Sequence, residues 1–223
     1  MSTPEPSPTV PPAPTPPAPL DTRRYGWAVG AVAAVLVIAF LIYSLTARHS
    51  GTEGVPAGGQ LHGFAAPLAA STLNGDANLS PPCTPAHHDR RALNVCLLAG
   101  RAPLVLAFFV TDSSPCEREV DTMQALASRP ALRGIQFAAV AVGTSHAAAA
   151  KAVRAHGWTI LVAYDADGAV GGLYGVSACP LLELARRGGT VAQRLIGEHW
   201  TSADALASEV TRLLASPGAG ATG

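Results

Sequence analysis

The stretch that most constrains the fold is 103–120, PLVLAFFVTDSSPCEREV. Residues 104–110 are an unbroken apolar run of strand length, rich in valine, leucine and phenylalanine. A run without alternation suits a strand buried on both faces, so it belongs inside a sheet covered on each side. Thr111, Asp112, Ser113 and Ser114 end the run. Ser114-Pro115-Cys116-Glu117 then reads as a helix start, with serine at the N-cap, proline at the first helical position and Glu117 three residues after the cap. The chain therefore delivers Cys116 from a central strand to a helix N-terminus. There the helix dipole and the free backbone N–H groups favour a thiolate.

Upstream, residues 1–22 are dense in proline and poor in side chains that could form a core, which predicts a disordered tail. A proline-rich ligand for a partner domain is the alternative. Residues 25–47 carry no charge between Arg24 and Arg48. As a helix rising ~1.5 Å per residue, such a segment covers about 34 Å, enough to cross a bilayer. Tyr25 and Trp27 lie at one end and Tyr43 near the other, as interfacial aromatics do. Arg23 and Arg24 before the span outweigh Arg48 after it, which predicts a cytoplasmic N-terminus and an extracytoplasmic C-terminal domain. A cleaved signal peptide is the rival, but no A-x-A-like site follows the apolar segment. Residues 48–60 are glycine-rich and read as a flexible linker, and 216–223 as a frayed, disordered tail. The net charge is zero, without the basic excess of a nucleic-acid partner. The arginine- and alanine-rich, lysine-poor composition is that of a GC-rich bacterial genome.

Residues 61–215 are the size of one domain. Strand and helix alternate through them. Strands are expected at 94–98, 104–110, 135–142 and 160–164, and helices at 116–128, 146–156 and 170–174. Residues 181–185 and 191–196 flank Arg187-Gly188-Gly189 as a hairpin. A closing helix at 201–214 carries Leu206, Val210, Leu213 and Leu214 on one face, and the helix at 116–128 carries Val120, Met123 and Ala127. This order implies an α/β architecture with a mixed sheet flanked by helices, preceded by one transmembrane helix.

Three segments carry a resemblance. PLVLAFFVTDSSPCEREV resembles the strand, active-site loop and helix of the thioredoxin-like superfamily, which includes membrane-anchored thiol–disulfide reductases and peroxiredoxins. YDADGAVGGLYGVSACP resembles the approach to that family's cis-proline, here Pro180, and LLELARRGGTVAQRLIG the hairpin after it. The motif itself departs from the family. Where Cys-x-x-Cys is usual, this chain has Ser113-Ser114-Pro115-Cys116, so only the second cysteine remains. A serine hydroxyl does not attack a disulfide, so the usual two-cysteine cycle on one helix turn is excluded. Peroxiredoxins carry a threonine two residues before the reactive cysteine, whereas Thr111 stands five before Cys116.

The resemblance supplies a replacement. The residue before the cis-proline lies against the active-site helix in this family, and that residue is Cys179. A Cys116–Cys179 pair then follows, redox-active or structural, with Pro180 shaping the site. Cys83 and Cys96 form the second expected disulfide, a structural one suited to an oxidising compartment. The alternative for this region is a zinc or copper site built from Cys83, His87, His88 and Cys96, although the spacing fits no common pattern. Asp112 occupies the active-site loop, as a turn residue or as a proton acceptor for Cys116. Asp165, Asp167 and Gly168 form a turn in preference to a calcium loop, because no downstream glutamate completes one. His146, His156 and His199 are expected as surface or capping residues.

Two functions follow. One is a membrane-tethered extracytoplasmic thiol–disulfide oxidoreductase or peroxide-handling redoxin, acting on protein thiols, disulfides or peroxide through Cys116 and Cys179. The other is a catalytically inactive thioredoxin-fold binding or chaperone-like module. No cofactor is implied by either.

Overall fold

The structure, a computed structural model, describes residues 22–47 and 54–215. The expectations for 1–21, 48–53 and 216–223 lie outside the described residues. The chain divides into two compact units, one ending at Thr46 and one beginning at Ala47.

The described part of the first unit is helix α1 (Thr22–Ala47), whose last residue opens the second unit. Its side chains from 26 to 41 are exposed, with Trp27 84% and Phe40 68% accessible. Among the described residues no helix is long and apolar enough to cross a membrane. The membrane span expected over 25–47 is thus without support among the described residues.

The second unit is an α/β domain. Its strands and helices are β1 (Ala65–Pro67), β2 (Ala92–Asn94), α2 (Val95–Arg101), β3 (Leu104–Phe109), α3 (Ser114–Ala127), β4 (Gln136–Val142), α4 (His146–His156), β5 (Leu161–Asp165), α5 (Ala169–Leu173), β6 (Leu181–Ala185), β7 (Val191–Ile196) and α6 (Ala203–Ala215). β1 and β2 pair as a small antiparallel ribbon. The main sheet runs β5-β4-β3-β6-β7, with β4 parallel to β3 and β5 parallel to β4, β6 antiparallel to β3, and β7 antiparallel to β6.

β3 lies at the centre, and its unbroken apolar run has the predicted cause. Val105, Ala107 and Phe109 face one core, where Val120, Met123 and Leu126 of α3 and Leu206, Val210 and Leu213 of α6 pack. Leu104, Leu106 and Phe108 face the other, among Phe64, Leu93, Leu98 and Tyr174. All six β3 residues are buried because alternate side chains enter cores on opposite faces.

The structure corrects four local expectations. The strand over 94–98 ends at Asn94, whose side chain accepts the Leu97 N–H and starts a helix instead. Leu126, not Ala127, completes the inward face of α3, and Leu214 is 38% exposed. The closing helix starts at Ala203, after a separate helical turn at Glu198–Thr201. Residues 54–60 belong to the domain. Val55 is buried, the Gly58 N–H donates to the Val191 carbonyl at 2.8 Å, and the Val191 N–H donates to Gly59 at 2.8 Å.

Cys83 is bonded to Cys96, with Cα atoms 5.8 Å apart. The bond ties the irregular segment containing Pro85–His87 to α2. Neither sulfur is then available as a thiolate for a metal, and the His87 Nδ1 is 2.9 Å from the Thr84 hydroxyl. Among the described residues no group of three metal-ligating side chains gathers. Replacing both cysteines by alanine is expected to lower unfolding free energy by roughly 2–3 kcal/mol, from the loop entropy released to the unfolded chain. Urea denaturation under non-reducing conditions checks it.

Candidate active site

The site forms where β3 hands the chain to α3. Asp112 takes a left-handed backbone (φ 60°), and its N–H donates to the Glu117 Oε1 at 3.0 Å. That bond folds the loop onto the first turn of α3 and accounts for Asp112 as a turn residue. Its side chain is solvent-exposed. The N-cap is Ser113, one residue earlier than the sequence suggests, so Ser114 and Pro115 are the first and second helical residues. The Ser113 hydroxyl makes no cap bond and lies 3.0 Å from the Cys116 Sγ.

Cys116 is only 4% exposed. Its sulfur is bonded to that of Cys179, and the two Cα atoms are 5.5 Å apart. The Cys179–Pro180 peptide is cis. Pro180 is buried at the head of β6, and its carbonyl accepts the Gly197 N–H at 3.0 Å. Cys179 keeps partial exposure and follows exposed Ser177 and Ala178. Residues 63 apart in sequence thus meet, because β6 lies beside β3 and its leading loop reaches the N-terminus of α3.

Glu119 is the site residue that the sequence reading missed. It sits on α3 one turn beyond Cys116 and is wholly buried. Neither carboxylate oxygen makes a hydrogen bond of normal geometry. Burial pushes its pKa up to about 8, and the nearby Leu181 backbone N–H only partly offsets this. Leu181 follows Pro180, so Glu119 lies between the two segments that carry the disulfide. The signal was available, since a glutamate three residues from Cys116 interrupts an otherwise apolar helix face. Glu183 interrupts LLELA in the same way. Burial pushes its pKa up to about 7 despite its ion pair with Arg194, and it faces the opposite core.

Thr111 is directed elsewhere, its hydroxyl 2.8 Å from that of Thr144. His156 stacks on Trp158, and both reach the Asp121 Oδ1, at 2.9 and 2.7 Å. That cluster anchors the outer face of α3 and does not touch the sulfurs.

A central strand leading to a helix-borne cysteine, faced by a cis-proline loop across a β5-β4-β3-β6-β7 sheet, defines a thioredoxin-like fold. The AhpC/TSA family model matches residues 86–194, just under half of the chain. Among solved structures, a candidate thiol:disulfide interchange protein DsbE from Chlorobium tepidum is 22% identical, with a TM-score of 0.56 over 72% of this chain and 98% of that one. Peroxidoxin BcpB from Mycobacterium tuberculosis is 16% identical, with a TM-score of 0.54 over 72% and 97%. These likenesses establish the fold. No curated protein matches the chain.

Proposed function

We propose that the chain is a thiol–disulfide oxidoreductase that works through the Cys116–Cys179 pair, with protein thiols and disulfides as its substrates. The observation that carries this reading is the pair itself. Two cysteines at the two segments that frame the site are joined across it, replacing the dithiol that Ser113 removes from the helix. The fold shared with the DsbE candidate agrees with this chemistry. Peroxide handling is the weaker form. Cys116 is buried, and the Thr111 hydroxyl is held by Thr144 instead of facing a sulfur that would meet peroxide.

We place the domain outside the cytoplasm of a bacterial cell, tethered through 25–47. Support comes from the uncharged segment between Arg24 and Arg48, the arginine pair before it, and a domain whose four cysteines are all in disulfides. Ser113 favours the second reading, a non-catalytic module that holds an extended polypeptide in the same cleft.

Turnover separates the two readings. The full chain, supplied with a small dithiol, is expected to speed reduction of a fluorogenic peptide disulfide above the uncatalysed rate. Peptide binding without any rate enhancement would favour the non-catalytic module.

A further inference from the structure

We propose that Cys179, and not the helix cysteine Cys116, is the sulfur that exchanges with the partner, and that Cys116 is the sheltered sulfur that opens and closes the pair. This rests on the oxidoreductase reading and assigns the chemical roles within it.

Three observations converge. The first is access. Cys116 is 4% exposed and enclosed by core residues of α3 and β3, whereas Cys179 is partly exposed beside exposed Ser177 and Ala178. An attacking thiolate must reach the sulfur that it will bond to.

The second is the leaving group. Attack on Cys179 expels Cys116, and a sulfur more stable as a thiolate leaves faster. Cys116 lies in the first turn of a 14-residue helix, with the Ser113 hydroxyl 3.0 Å from its sulfur. Helix terminus and hydroxyl both stabilise negative charge there. Attack on Cys116 would instead expel Cys179, which has no such donor among the described hydrogen bonds. Ser113, which rules out the usual dithiol, thus serves the sulfur that remains.

The third is the path of the client chain. Among the described residues, the backbone N–H and C=O groups of Ser177, Ala178 and Cys179 make no hydrogen bond. A client lying along this loop can pair with them as an added strand does, which brings its thiol to Cys179.

The steps balance. A client thiolate attacks the Cys179 Sγ, the Cys116–Cys179 bond breaks, and Cys116 leaves with the electron pair as a thiolate. The client's second thiol then attacks the client sulfur of the mixed disulfide, and Cys179 leaves. The client dithiol is oxidised to a disulfide by two electrons. Cys116 and Cys179 take up the two protons it releases and become thiols. In the reverse direction the Cys179 thiolate attacks a client disulfide, and Cys116 resolves the adduct.

The test needs no variant. The oxidised full chain is mixed with reduced glutathione, quenched in acid within the first turnover, and digested for mass mapping of the adduct. Glutathione is expected on Cys179 over Cys116 by at least about tenfold, following the access and leaving-group differences. In a second measurement, Cys116→Ser is expected to take up glutathione from glutathione disulfide faster than Cys179→Ser by a similar factor. Glutathione mainly on Cys116, or equally on both, would overturn the assignment while leaving the oxidoreductase reading in place. A pair that forms no adduct and stays closed under excess dithiothreitol would overturn both.

Discussion

Replacing either Cys116 or Cys179 by serine in the full chain is expected to bring catalysed exchange to the uncatalysed background, a loss on the order of 10³-fold, and the double replacement to cost no more than either alone. The reason is chemical, since a hydroxyl cannot replace a sulfur in thiol–disulfide exchange. Non-additivity is the discriminating part. Two sulfurs that act as one couple fail together, whereas two independent buried cysteines would give losses that multiply. Stability must be controlled, because the bond closes a loop between residues 63 apart. Its absence removes about 4 kcal/mol of chain-entropy stabilisation from the oxidised form. The proper comparison is with the reduced wild-type chain, which has lost the same constraint. Steady-state rates on a peptide disulfide, paired with urea denaturation of each variant, supply both quantities.

The second large effect is on pH dependence. Glu119 has a folded pKa near 8, against an ordinary value of 4.5. The folded state therefore binds more protons than the unfolded one between those values. The stability contributed by Glu119 is fully present below about pH 4.5 and is lost as the pH rises through about 8. A shift of this size corresponds to a loss on the order of 5 kcal/mol across that window. Glu119→Gln keeps the shape of the side chain and cannot ionise, so it is expected to flatten most of this slope. Glu183 and Asp165 are also raised by burial and leave a residual slope of the same sign. Urea denaturation of wild type and Glu119→Gln at pH 5, 6, 7 and 8 measures the difference. Equal slopes in the two chains would mean that Glu119 stays ionised inside the fold.

The fold was legible because its signals are local and redundant. The apolar run at 104–110 forced a strand covered on both faces, and Gly188-Gly189 fixed the hairpin. α4 was bounded by Ser145, whose side chain accepts the Ala148 N–H, and by left-handed Gly157. Legibility failed where tertiary packing chose between near-equal local options. Residues 95–98 are apolar without a clear period, and the Asn94 cap together with burial of Val95, Leu97 and Leu98 made them helical. At the site, Cys116 and Cys179 could be brought together only through a resemblance, because nothing local relates residues so far apart. Glu119 was overlooked because a glutamate in a helix is ordinarily a solvent-facing residue. Only the three-dimensional packing shows that this one is wholly buried, with no ion-pair partner among the described residues.

The central claim is that the Cys116–Cys179 bond is a working one, and its reduction potential tests that most directly. The full chain, equilibrated in defined ratios of oxidised and reduced dithiothreitol or glutathione and then acid-quenched, gives the fraction of the pair that is open. A midpoint above about −300 mV is predicted, within the range of disulfides that cycle. A midpoint well below that value would mark a structural bond and contradict the account.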